Sequence, residues 1–209
     1  DITVEWLTEN AISVPRIDID IEGRLPVTSK DYYLDANFRI TGYGIYENFE
    51  DSVQIKGRGN SSWGGYGHKN PYRLKFAEKV KPFGLTKGKS WVLLANAQKR
   101  SLMANAMSMK IGQMAGAHYT NHIIPVDLYI NGEYVGNYMF TEKVGMANNS
   151  VDIDEALGYL LELDTYGSSD EPITTTGVYD LPVKISEPDL EDYTADVATA
   201  RRTAMLNDV

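Results

Sequence analysis

The sequence has no cysteine among its 209 residues. Disulfide bonds, thiolate metal sites and a cysteine nucleophile are therefore excluded. It also has no apolar run near the ~18 residues that a membrane-spanning helix needs, so no membrane span is expected. Positive charge is scarce, because 20 Lys and Arg stand against 29 Asp and Glu, for a formal net charge of -9. This balance argues against a general nucleic-acid or anionic-membrane binder, and any phosphate site must be local.

The rest of the composition is that of an ordinary soluble globular protein, with 43% hydrophobic and 23% charged residues. A chain of this length suits one domain, or one domain with a small extension, and it can bury a substantial core.

The segment from Arg16 to Glu22 alternates apolar and charged residues strictly. This pattern predicts a half-buried strand whose isoleucines point inward. Asp18, Asp20 and Glu22 then share the opposite face. A Ca²⁺ site is one interpretation, but a strand spreads its side chains apart, whereas Ca²⁺ needs oxygens that converge from a loop. A solvated strand face is the favoured interpretation.

Further strands are predicted by alternation or by short apolar runs, and Asn131-Gly132 between two of them predicts a type I′ turn. The segments follow one another as a meander, which favours an antiparallel sheet. A C-terminal amphipathic helix is expected over residues 190–206. The predicted strands are residues 33–40, 53–56, 72–76, 90–96, 126–130, 134–141, 158–164 and 183–185.

The clearest helical pattern lies between Gln98 and Gly116. Four apolar residues fall on one stripe of this helix, and Gly116 is placed to end it. A cofactor or partner surface is possible for such a stripe, but packing against the sheet is the more frequent reason. The stripe consists of Met103, Met107, Ile111 and Met114.

A loop rich in Gly, Ser and Asn separates two predicted strands between Gln54 and Phe76. Its glycines allow backbone N–H groups to turn toward an anion, and four cations surround it. The other interpretation is an ordinary hairpin loop that Trp63 anchors from below, with solvated basic residues. The pattern leaves both open, since it matches neither the P-loop nor the dinucleotide fingerprint. The cations are Arg58, Lys69, Arg73 and Lys75.

Short motifs in one order resemble the signature of the CotH-like atypical protein kinases, a family named after a spore-coat protein. The central ones are KGRGNSSW at residues 56–63 and NPYRLKF at residues 70–76. The resemblance covers roughly residues 26–190. The other matching segments are WVLLAN at 91–96, SLM at 101–103, NA at 105–106, NGEYVG at 131–136, TEK at 141–143, N at 149, VDI at 151–153 and GYLLELD at 158–164.

This resemblance implies an α+β fold like the small lobe of a protein kinase, with a mostly antiparallel sheet and one packed long helix. It divides the chain into an N-terminal extension with the first strand (1–25), the CotH-kinase-like N-terminal region (26–190) and the start of a truncated C-terminal helical region (191–209). The implied location is extracytoplasmic, in a secreted or surface-anchored bacterial protein.

The resemblance also implies transfer of phosphate from ATP, with Mg²⁺ or Mn²⁺, to Ser or Thr of a protein substrate. The family's metal-binding and catalytic aspartates lie in later segments that do not occur in this sequence, so no catalytic or metal residue is assigned and the fragment is expected to be inactive alone. Ala104 stands where many relatives carry Arg. The implied nucleotide-binding residues are Arg58, Arg73 and Lys75 on the phosphates, Asn60 and Ser61 in the loop, and Glu142 orienting a Lys or a metal-bound water.

The alternative function is a non-catalytic extracellular scaffold or a glycan- or protein-binding module. Four aromatic residues favour it, because they can form a stacking platform for sugars. Zinc at the closely spaced His118 and His122 is not favoured, since no third ligand accompanies them. His68, in the central loop, is the histidine expected nearest a ligand. The aromatic residues are Tyr43, Tyr46, Trp63 and Tyr66.

Overall fold

The computed structural model describes residues 14–64, 69–97, 101–154, 156–163, 174–175, 181–188 and 194–208. The chain falls into two compact units that divide between Lys143 and Val144. The domain boundaries expected at residues 25 and 190 remain predictions. His68 and Tyr66, both singled out from the sequence, lie outside the described residues.

Seven strands of the first unit form a closed barrel in the order β1-β2-β3-β4-β5-β7-β6. β1 pairs with β6 in parallel, and all the other neighbouring strands are antiparallel. Two single-turn 3₁₀ helices, Glu22–Arg24 and Pro82–Gly84, lie in the connections. The strands are β1 Arg16–Ile21, β2 Leu34–Thr41, β3 Phe49–Gly57, β4 Tyr72–Val80, β5 Gly88–Leu94, β6 Ile123–Ile130 and β7 Glu133–Glu142.

The barrel interior holds the apolar residues of the alternating strands, as the period-two pattern requires. Trp91 and Phe140 stack at its centre with ring centroids 5.1 Å apart. The Trp91 indole N–H donates to the carbonyl of Gly88 at 3.1 Å, so this buried polar group is satisfied. The hairpin of β6 and β7 confirms the predicted Asn131-Gly132 turn, with φ of 54° and 84° at the two residues.

The expected α+β fold resembling a kinase small lobe is wrong. The first unit is mostly β and closes into a mixed barrel, because β1 pairs in parallel with β6 more than a hundred residues later. Alternation shows which face of a strand is buried but not which strand lies beside it. A meander and a closed barrel therefore look alike in sequence.

The expected packing of the long helix is also wrong. The helix, α1, spans Ala104–Met114. Its apolar stripe is exposed: Met103 at 49%, Met107 at 59%, Ile111 at 62% and Met114 at 79%. The closed barrel turns most of its apolar side chains inward, so its outer surface offers little apolar area for a helix to cover.

Smaller, more polar contacts hold α1 instead. Gln113 donates from Nε2 to the carbonyl of Asn121 at 3.0 Å. A Cβ on Gly112 would lie 3.1 Å from the side chain of Thr120, so this glycine permits a close approach of the following loop.

Asp18, expected on a solvated strand face, is buried. Arg16 donates to it through Nε at 2.8 Å and through Nη2, and Arg39 lies 3.7 Å away. The Arg16 guanidinium also stacks on Tyr129 of β6, 3.7 Å from the ring centroid. Asp18 therefore belongs to a charged cluster on β1 and β2, which Arg16 extends to Tyr129 of β6. No group of three or more potential metal-ligating side chains occurs in the part of the chain that the structure describes.

The second unit contains a small antiparallel sheet in the order β8-β10-β9, and the helix α2, Ala195–Asp208. Arg201 of α2 donates to the carbonyls of Ala156 and Gly158 at 2.9 and 3.0 Å, and the hydroxyl of Tyr159 donates to the Arg201 carbonyl. Neither described helix is long and apolar enough to cross a membrane. The strands are β8 Leu160–Leu163, β9 Thr174–Thr175 and β10 Pro182–Glu187.

Candidate functional site

The loop after β3 is shaped by close contacts at its glycines. A Cβ on Gly57 would lie 2.3 Å from the ring of Trp63, so only glycine allows this indole to cover the end of the strand. Gly59 has a φ of 90°, and a Cβ there would meet the hydroxyl of Ser62 at 2.2 Å. The backbone N–H of Trp63 donates to the carbonyl of Asn60 at 3.2 Å. Trp63 thus anchors the loop, as the hairpin interpretation expected.

Two loop residues expected to bind nucleotide lie at its tip. Both Asn60 and Ser61 have exposed side chains. The Lys30 ammonium donates to the carbonyl of Gly59 at 3.0 Å, and the backbone N–H of Arg58 donates to the carbonyl of Pro71 at 3.2 Å. These bonds hold the base of the loop near β4 while its tip stays accessible.

The structure brings Arg58 and Arg73 together. Arg73 lies on the outer face of β4, between Lys56 of β3 and Val92 of β5. Burial lowers the pKa of the Arg58 guanidinium, and the nearby positive charge of Arg73 lowers it further. Arg73 has a buried Nε with no hydrogen-bond partner among the described residues. Two partly desolvated guanidinium groups this close repel each other, so the pair favours an anion.

Arg58 lines a pocket of about 190 Å³ at the edge of the barrel. The pocket reaches the start of α1, where no side chain caps the helix. The first N–H groups of a helix are unpaired and carry a partial positive charge. This arrangement adds to the positive potential of the arginine. The other lining residues are Ser62, Pro71, Leu94, Ala95, Asn96, Ala97, Leu102, Ala104 and Asn105.

Two asparagines fix the helical side of this pocket. Asn105 donates from Nδ2 to Oδ1 of Asn96 at 2.6 Å, and Asn96 donates to the carbonyl of Leu102 at 2.9 Å. Sequence reasoning did not assign them to the site. The available signal was their presence in two of the matched motifs, one directly after a strand and one at the start of a helix.

Lys75 is not part of this pocket. Its side chain is exposed and lines a broader depression of about 850 Å³, together with carboxylates such as Asp20 and Asp35. Lys69, another cation of the loop, donates to the carbonyl of Asn137 and lies 4.7 Å from the ring centroid of Tyr138. Burial lowers the pKa of the Lys69 ammonium. Lys69 therefore ties the loop to β7.

Glu142 lines neither depression. Its side chain is 2% exposed, and its carboxylate contacts His122 at the start of β6. The resemblance implied that Glu142 orients a Lys or a metal-bound water. In this unit its carboxylate binds His122 instead.

Three of the four aromatic residues of the glycan interpretation are described, and their surroundings differ. Tyr46 packs edge-on against Phe83, with centroids 5.1 Å apart, and Trp63 covers Gly57. Tyr43 is exposed.

Comparison with known proteins gives a match to one family model. A family model described as CotH kinase protein matches residues 53–206, a span that includes the end of β3, all of β4 to β7, the loop, both arginines and the whole pocket. None of the curated proteins compared matches the chain. Because the match covers most of its 209 residues, the chain belongs to the CotH kinase protein family.

Proposed function

We propose that the first unit binds the phosphates of ATP in a protein kinase that phosphorylates Ser or Thr of a protein substrate. The observation that carries this proposal is the pair of Arg58 and Arg73 beside the pocket at the start of α1. Phosphoryl transfer depends mainly on positioning and on neutralising phosphate charge, and guanidinium groups bind phosphate oxygens in a bidentate manner.

Each part of the site has a separate task in this proposal. Arg58 and Arg73 hold phosphate oxygens, and the first N–H groups of α1 add donors that need no side chain. Ser62 supplies a hydroxyl at the same pocket. Asn96 and Asn105 keep the start of the helix in place. Asn60 and Ser61, exposed at the loop tip, approach the nucleotide from outside.

The Mg²⁺ or Mn²⁺ that the family implies needs several oxygen ligands, carboxylates above all. The described residues offer no group of three potential ligands, and the Glu142 carboxylate is bound to His122. These residues do not fit the metal, so the proposal assigns them phosphate binding alone. We further propose that the 209 residues bind ATP without turnover, and that the native setting is extracytoplasmic, as the resemblance implies.

Calorimetric titration with ATP tests the phosphate site. Arg58→Ala and Arg73→Ala are each expected to raise the dissociation constant about tenfold or more, because each removes charge-assisted hydrogen bonds. Lys75→Ala is the matched control, since it removes a cation from the same strand but from the other depression. The ATP affinity of the Lys75→Ala variant is expected to stay within about twofold of that of the parent chain. Equal losses in all three variants, or no binding by the parent, would overturn the proposal.

A further inference from the structure

A histidine and a buried glutamate form a pair away from the pocket. His122 directly precedes β6, and Glu142 ends β7, the strand beside it. The His122 Nδ1 lies 2.8 Å from Oε1 of Glu142. The two side chains differ sharply in exposure, at 58% for the histidine and 2% for the glutamate.

The carboxylate of Glu142 is held at both oxygens. Oε1 faces the imidazole, and Oε2 accepts the backbone N–H of His122 at 2.9 Å. An ionised carboxylate can only accept, so we assign the ring proton to Nδ1. That tautomer leaves the lone pair on Nε2, at the outer end of a largely exposed side chain.

Neighbouring side chains hold the pair rigidly. The buried Asn121 donates from Nδ2 to the Glu142 carbonyl at 2.8 Å and to the Thr141 hydroxyl at 3.3 Å. That hydroxyl donates to the His122 carbonyl at 2.6 Å. These bonds join the backbone on both sides of the pair, and the bond to Glu142 orients the imidazole.

An imidazole oriented by a buried carboxylate, with a free lone pair, has the arrangement of an activated nucleophile. We propose that Nε2 of His122 accepts a phosphoryl group from a donor such as a nucleoside triphosphate. The Nε2 lone pair forms the bond to phosphorus, and the bond from phosphorus to the leaving oxygen breaks, with its electron pair leaving on the nucleoside diphosphate. The proton stays on Nδ1, where Glu142 stabilises the positive charge that develops on the ring.

This modification site is separate from the proposed ATP pocket and does not depend on it. Glu142 acts as a positioning residue, because it reaches the phosphoryl group only through the imidazole. His118, four residues earlier, provides an internal comparison, since its side chain is exposed and its nearest aromatic neighbour is Tyr119.

The test uses phosphoramidate, a small donor whose phosphorus–nitrogen bond breaks to release ammonia, so no kinase activity is needed. The full chain is incubated with it, and acid-labile phosphate is mapped by peptide mass and phosphorus NMR. The chain has three histidines, which makes the assignment direct. His122 is expected to be labelled on the order of tenfold faster than His118. Equal rates at the two, or no label on His122, would overturn the proposal.

Two variants separate the role of the pair from simple exposure. Glu142→Gln keeps a hydrogen-bond acceptor but removes the charge, and it is expected to slow labelling of His122 about tenfold while leaving the His118 rate unchanged. An unchanged His122 rate in a folded Glu142→Gln chain would contradict the proposal. His122→Gln is expected to abolish the fast labelling and to leave the labelling of the other histidines unchanged. If Glu142→Gln unfolds, the comparison of the two histidines in the parent chain still decides the matter.

Discussion

At the residue scale, Gly57 shows why the central loop needs its glycines. The ring of Trp63 occupies the space that a Cβ at this position would take. Gly57 has no positive φ, so backbone strain does not explain why glycine is needed here. Glycine is needed because a Cβ would collide with the ring of Trp63. The same residue that makes the loop look like an anion cradle in sequence serves first to seat an indole.

Gly57→Ala is therefore expected to displace Trp63. We expect a loss of about 1–3 kcal/mol of unfolding free energy, as for overpacked sites, together with a red shift of tryptophan emission. Urea unfolding followed by fluorescence measures both.

The matched control is Gly64→Ala, where no atom lies within 4 Å of the added Cβ. Its φ of 69° costs about 1–2 kcal/mol of backbone strain but moves no indole. An emission shift in Gly64→Ala equal to that in Gly57→Ala would contradict the explanation, as would a shift that survives when Trp63 is replaced by Phe.

At the element scale, a charged cluster around Asp18 joins β1 to β2, and Arg16 extends it to Tyr129 of β6. Asp18→Asn removes the negative charge and one of the two oxygens that accept from Arg16, and it weakens the contact with Arg39. Both arginines are partly exposed, so solvent screens the pair, and we expect a loss of about 1–2 kcal/mol in urea unfolding.

Asp20→Asn, on the same face of β1 but exposed, serves as the control for Asp18→Asn and is expected to stay within about 0.5 kcal/mol of the parent. Equal losses of stability in the two variants would contradict a stabilising role for the charged cluster around Asp18.

The helix α1 gives a second prediction at this scale. Because its apolar stripe is exposed, Met107→Gln and Ile111→Gln should each change the unfolding free energy by less than about 0.5 kcal/mol. Met109, half-buried on another face, is the control, and Met109→Gln should cost more than either. A loss of about 2 kcal/mol or more at Met107 would show that the stripe is packed after all.

At this scale, the sequence allowed the local features to be predicted. Alternation located the strands, and Asn131-Gly132 located a turn, because both depend on neighbouring residues. The exposure of Met107 could not be predicted, because an apolar stripe shows only that a helix has an apolar face, and what covers that face depends on distant segments. The parallel pairing that closes the barrel is non-local for the same reason.

The candidate site was predictable to a similar extent. Arg58 and Arg73 came from the two central motifs, which flank one loop, and they lie together. Lys75 was grouped with them as another cation around the loop. It shares the outer face of β4 with Arg73, but two residues along a strand amount to about 7 Å, enough to reach a different depression. Asn96 and Asn105 meet through their own hydrogen bond, which spacing in the sequence does not indicate.

At the scale of the whole molecule, the barrel has a core of its own. The buried apolar cluster runs from Ile17 to Phe140 and lies entirely in the first unit. We expect a chain of residues 14–143 to fold alone, with a cooperative urea transition and the near-ultraviolet circular dichroism of a packed Trp91. A noncooperative transition or loss of that signal would contradict this expectation.

Closure of the barrel also has a consequence for synthesis on the ribosome. β1 is made first, but the strand that covers its second edge ends at Ile130. Until that residue emerges, β1 has β2 on one side and unpaired N–H and C=O groups on the other, the kind of edge that recruits other chains. The nascent chain therefore carries an open sheet edge while more than a hundred residues after β1 are translated.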